Sequence, residues 1–195
     1  MKIRDINVWA RWLHTYLSMF GLAALLLFSV TGITLNHPDW LAGEPQVQRI
    51  DGELNPAWVA VSDSIPVARL EIVEHLRNAH NIKAGLNDFY MDERECSISF
   101  RGPAYVADAF IDRSTGSYVL LVTASGFIAI LNDLHKGSDA GGVWTVVIDI
   151  AAISMILISL TGFVMILFVK KRKASGLILA LIGTALLFIL YYLFV

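Results

Sequence analysis

Three long apolar stretches, Leu17 to Leu35, Ile150 to Val169 and Ala174 to Val195, constrain this chain more than any other feature. A helix needs about 20 such residues to cross a hydrocarbon core of about 30 Å, because each residue adds only about 1.5 Å of rise. Inside that core every backbone amide has to be satisfied without water, so continuous apolar runs of this length predict spanning helices. Composition agrees: 56% of the 195 residues are hydrophobic and 16% are charged, against roughly 25% charged in soluble domains. The expectation is an integral membrane protein with three spans.

Charge orients the spans. Lys2, Arg4 and Arg11 precede the first run, and Lys170, Lys171, Arg172 and Lys173 join the second to the third. The positive-inside rule puts both clusters in the cytoplasm and the segment between the first two runs outside, in the periplasm of a bacterial inner membrane if the source is a Gram-negative bacterium. The predicted division is a cytoplasmic N-terminus (1–12), a first span (13–37), a periplasmic domain (38–125), an interfacial amphipathic segment (126–142), a second span (143–169), a cytoplasmic basic loop (170–173) and a third span (174–195) with its C-terminus outside. Trp9 and Trp12 at one end, and Trp40, Trp144, Tyr191 and Tyr192 at the other, suit interfacial aromatic belts. The alternative for the first run is a cleaved signal peptide, although the run is longer than usual and no clear A-x-A site follows.

The segment between the first two runs reads as a small α+β domain. In Val67 to His80, Leu70, Val73 and Leu76 share a helical stripe, while Cys96, Ile98 and Phe100 alternate with Ser97 and Ser99 as a half-buried strand does. Ala107 to Leu121 predicts strand, turn, strand, with D-R-S-T-G as the turn. Cys96 is then core filler. A single cysteine excludes an intrachain disulfide and a Cys-x-x-Cys-His attachment, and a net charge of -2 leaves no basic face for nucleic acid. No phosphate loop or nucleophile elbow is present.

Histidines at the edges of the apolar runs carry the functional reading. His37, in S-V-T-G-I-T-L-N-H-P-D-W, closes the first run, and His135, in N-D-L-H-K-G, ends an amphipathic stretch from Thr123 that precedes the second. Both are expected at the outer membrane surface on neighbouring helices, where facing imidazoles hold a b-type haem in helix bundles. Lys136 is placed for a haem propionate, or is a solvated interfacial lysine. His14, opening the first run, lies about 34 Å and about 140° from His37 on a helix, so the two cannot share one iron. It is a candidate ligand of a second haem, with a partner from another subunit or with Met19 or Met165; the alternatives are contact with a quinone head group or simple anchoring. The repeated S-x-T-G, Ser29 to Gly32 and Ser159 to Gly162, either lets a macrocycle or a backbone come close at Gly32 and Gly162 or is ordinary helix packing. Asp149, a turn inside the second run, is a partner for a ligand or an interfacial residue. His75 and His80, five residues apart, point about 140° apart and are read as structural.

The runs L-H-T-Y-L-S-M-F-G through L-N-H-P-D-W, D-L-H-K-G, W-T-V-V-I-D and S-L-T-G resemble the PepSY-associated transmembrane helix family, and A-F-I-D-R-S-T-G-S-Y-V resembles the hairpin of a PepSY module. Larger relatives resemble siderophore-iron reductases with four or more spans and two haems. The resemblance implies a periplasmic PepSY-like domain between the first and second spans, one b-type haem with room for a second, and His37, His135 and His14 as iron ligands. It also implies electron delivery from quinol or a cytoplasmic donor to ferric iron, a ferric siderophore or a periplasmic protein, whether as a reductase or as one subunit of an assembly, a homo-oligomer included. The competing reading is a PepSY module without haem, anchored in the bilayer and acting on a periplasmic protease or cell-envelope partner.

Overall fold

The computed structural model describes residues 3–40, 43–59 and 68–195. In chain order it contains α1 (Ile3–Asn36), a 3-10 turn (Pro38–Trp40), β1 (Gln46–Glu53), α2 (Pro56–Val59), α3 (Arg69–His80), β2 (Gly85–Met91), β3 (Glu95–Gly102), β4 (Tyr105–Asp112), β5 (Ser117–Ala124), α4 (Phe127–Lys136), α5 (Gly141–Phe168) and α6 (Lys173–Phe194). Among the described residues α1, α5 and α6 are long and apolar enough to cross a membrane. They mark a membrane protein. Helix α1 begins ten residues before the predicted span, because nothing between Ile3 and Leu13 breaks a helix.

Residues 1–26 and 149–195 form one compact unit. Within it α1 and α5 run antiparallel, with His14 against Thr161 and Gly21 against Ile158 and Ser154. The residues buried there are small ones, Ala10, Gly21, Ala151, Ser154 and Thr161. Lipid tails are as apolar as leucine, so spanning helices associate through close backbone approach at such positions. The large side chains Leu22, Ile153, Leu160 and Phe163 stay exposed, as lipid-facing residues do. Helix α6 has no fully buried residue, and meets α5 where Gly176 lies against Ile166.

Residues 27–148 form the second unit. Its five strands make one antiparallel sheet in the order β1-β5-β4-β3-β2. Helix α3 covers one face. Ile72, Val73 and Leu76 pack with Cys96, Ile98, Phe100, Ala107, Ala109, Ile111, Tyr118 and Leu120 in a closed core. Burying each large side chain there contributes roughly 1.5–3 kcal/mol. Cys96 is fully buried and unpaired, and loss of water around its sulfur pushes the thiol up to about 11, so it is packing material, as its phase with Ile98 and Phe100 predicts. Of the expected helical stripe Val73 and Leu76 are buried, whereas Leu70 is 70% exposed and Ile72 takes its core position. Val67 lies outside the described residues.

The turn between β4 and β5 is where D-R-S-T-G predicts it. The Asp112 carboxylate accepts hydrogen bonds from the Ser114 N–H and Oγ at 2.7 and 2.6 Å. Gly116 follows with φ 79°, and a Cβ there would stand 2.8 Å from the Leu54 carbonyl oxygen, so only glycine fits. The edge strands β1 and β2 carry no apolar alternation and are mostly exposed.

Candidate functional site

His14 projects from the first turns of α1 onto α5. Its Nδ1 lies 3.1 Å from the Ile158 carbonyl oxygen and 3.0 Å from Thr161 Oγ1. A carbonyl can only accept, so Nδ1 carries the proton and donates. The Thr161 hydroxyl donates along its own helix, to the Leu157 and Ile158 carbonyls at 2.7 and 2.9 Å, which leaves its lone pairs for the imidazole. Gly162 makes the approach possible, since a Cβ in its place would stand 3.2 Å from His14 Cε1.

The second unit contains the same arrangement built from different elements. His135 closes α4 and its Nδ1 meets Thr31 Oγ1 at 2.6 Å. The Thr31 hydroxyl donates to the Leu27 carbonyl at 2.5 Å, so it too accepts from the imidazole Nδ1–H. Gly32 lies beneath the ring, where a Cβ would come within 3.9 Å of Cε1, and the Phe28 ring meets the imidazole edge-on at 5.0 Å between centroids. Three polar ties hold the ten residues of α4 in place. Thr34 Oγ1 donates to Asn132 Oδ1 at 2.6 Å, the Ala104 N–H to Asp133 Oδ2 at 2.8 Å, and Trp144 Nε1–H to the Leu134 carbonyl at 2.7 Å.

Both Thr–Gly steps of the S-x-T-G repeat are therefore histidine seats. At Gly162 the close neighbour is the His14 imidazole, whereas at Gly32 the His135 ring lies at ordinary contact distance. Thr31 is 1% exposed and Thr161 9%, and each has its hydroxyl hydrogen committed to its own helix. The geometric result is the same twice: Nδ1 is held by a threonine, and among the described residues Nε2 makes no hydrogen bond. No buried side-chain nitrogen or oxygen among the described residues lacks a partner. Each Nε2 is consequently open at the surface of its unit. A neutral imidazole with Nδ1–H anchored and Nε2 free is the form that ligates a metal, so this donor chemistry fits a haem iron.

The remaining predicted residues divide. His37 follows the last turn of α1, its N–H still bonded to the Ile33 carbonyl at 3.1 Å, and its ring stacks on Trp40 at 3.8 Å and 5°. It is six residues beyond Thr31, about 9 Å along a helix and about 120° around it, so His37 and His135 engage different neighbours. Lys136 forms an ion pair with Asp133 at 2.7 Å. Asp149 is exposed, Met19 is exposed and Met165 half-buried. His75 meets the edge of Trp58, and His80 shares a 2.7 Å hydrogen bond with the Tyr118 hydroxyl, as structural histidines do. No group of three or more His, Cys, Asp or Glu side chains converges among the described residues. Phe28 and Asn132 are the site residues that sequence reasoning passed over; Thr31 and Thr161 were singled out only as small residues of the S-x-T-G repeat, not as partners of the histidines.

A family model described as PepSY_TM-like matches residues 8–195. Comparison with curated proteins and with solved structures returns no match.

Proposed function

The chain belongs to the PepSY_TM-like family, and from that premise we propose that it is a b-type haem protein of the bacterial inner membrane that passes electrons to a periplasmic acceptor, ferric iron or a ferric siderophore. The observation that carries this reading is the anchoring of Nδ1 of two histidines, His14 on Thr161 and Ile158 and His135 on Thr31, with Nε2 of each making no hydrogen bond among the described residues. Haem, when bound, would supply a one-electron ferric/ferrous couple. The protein's part is to hold Nδ1–H of His14 on Thr161 and Ile158, and Nδ1–H of His135 on Thr31, so that both rings keep their orientation and basicity.

In this reading His135 is a ligand of the outer haem and His37 is the candidate within the same chain for the opposite axial position, which requires its ring to leave Trp40. Lys136 would exchange Asp133 for a propionate. Lys136 is the exposed partner of that ion pair, while Asp133 keeps its bond from the Ala104 N–H. Two haems, one near each surface, would carry electrons from quinol or a cytoplasmic donor across the bilayer. By the positive-inside rule the basic loop 170–173 supports a cytoplasmic side for His14 and a periplasmic side for the sheet.

The test is spectroscopic. Protein purified after expression with ample haem should show a Soret band that shifts on dithionite reduction; His14→Ala and His135→Ala should each remove part of it, and the double variant all of it. A second reading, a PepSY module without haem that binds a periplasmic partner, is favoured by the sheet face opposite α3, where Phe110 is exposed beside Val119. Colourless wild-type protein would decide for that reading.

A further inference from the structure

His14 presents one free Nε2 and needs a second imidazole, and the chain accounts for its others elsewhere. His37 stacks on Trp40, His75 meets the edge of Trp58, His80 bonds Tyr118, and His135 is seated on Thr31, 17 residues further along α1. Met19, five residues from His14, points about 140° away on the same helix. Met165 follows Thr161 by one turn on the wall that already holds the imidazole, whereas the second axial ligand has to stand across the macrocycle from it.

From these observations we infer that the His14 Nε2 is completed by a second copy of this chain, the two His14 imidazoles binding one haem iron from opposite sides on a twofold axis within the membrane. A twofold interface juxtaposes the same residue from both copies, so one outward-facing histidine per chain suffices for a bis-imidazole site. The two Nε2 atoms would stand about 4 Å apart, twice a metal–nitrogen bond of about 2 Å. Among the described residues Nε2 of His14 makes no hydrogen bond, and it is not fully buried, which such sharing requires. The seat on Thr161 and Gly162 fixes the ring before the partner arrives, leaving less ordering to do on association.

This rests on the haem reading above, and its test separates the two. In the variant His37→Ala/His135→Ala only the His14 site remains. It should bind one haem per two chains, give the low-spin spectrum of bis-histidine iron, and run as a haem-containing dimer by native mass spectrometry in detergent. The single variant His14→Ala should lose half a haem per chain and keep the outer haem, which guards against misfolding of the double variant. One haem per chain in a monomer, a high-spin spectrum, or a low-spin spectrum lost on Met165→Ala would overturn the shared site. Red wild-type protein with a colourless His37→Ala/His135→Ala variant and no loss in His14→Ala would also overturn it while sparing the haem reading; colourless wild-type protein overturns both.

Discussion

The Thr161–Gly162 and Thr31–Gly32 seats do the same thing with different redundancy. His14 has two acceptors for Nδ1–H, Thr161 Oγ1 and the Ile158 carbonyl, whereas among the described residues His135 has Thr31 alone. The bearers differ as well. His14 stands on a 34-residue helix whose place is set by packing along its length; His135 stands on a 10-residue helix that buries no side chain and is held by side-chain hydrogen bonds. One ring is positioned by close packing in lipid and the other by polar contacts with the sheet unit's own loops and helices. The second seat should be the easier one to disturb.

The largest expected effect comes from the sheet core. Leu76→Ala removes a fully buried side chain and should cost about 2–5 kcal/mol. Thermal melts should show the 27–148 unit destabilised, with haem lost at His135 before His14; simultaneous loss would break the comparison. Next, Thr31→Val should weaken haem binding at His135 by about 10–100-fold, the usual cost of losing a ligand's orienting partner. Thr161→Val should cost less, because Ile158 still accepts from His14, and haem titrations giving equal losses would contradict that redundancy. Gly162→Ala, with its Cβ 3.2 Å from His14 Cε1, should shift the ring and its spectrum, whereas Gly32→Ala at 3.9 Å is ordinary contact and should be nearly silent.

The smallest effects belong to the sheet unit's titrating groups. Burial, and then the charge on His75, hold His80 below 6.5. The folded state therefore favours neutral His80, a contribution present above pH 6.5 and lost as pH falls below it. Melts between pH 7.5 and 5.5 should show that loss, and His80→Gln should flatten it. Cys96, raised to about 11, should resist alkylation at pH 8 until the unit unfolds.

Much of this was legible along the chain, for definite reasons. Span length and the phase of Cys96, Ile98 and Phe100 are periodic signals, and D-R-S-T-G names its own turn. The edge strands were not legible, since a strand exposed on both sides carries no alternation: β1 shows an exposed run through Arg49, and β2 is interrupted by a register shift between Leu86 and Asp88. Leu70 misled because it shares a helical face with Val73 and yet lies beyond the sheet's cover.

Sequence alone determined that this chain has three stretches long and apolar enough to cross a membrane, with histidines at their margins, because hydrophobic length is a property of consecutive residues. Only the tertiary structure decided what S-x-T-G is for. A threonine whose hydrogen is committed to the preceding turn becomes an acceptor, and which imidazole then donates to it depends on contacts between residues more than a hundred positions apart.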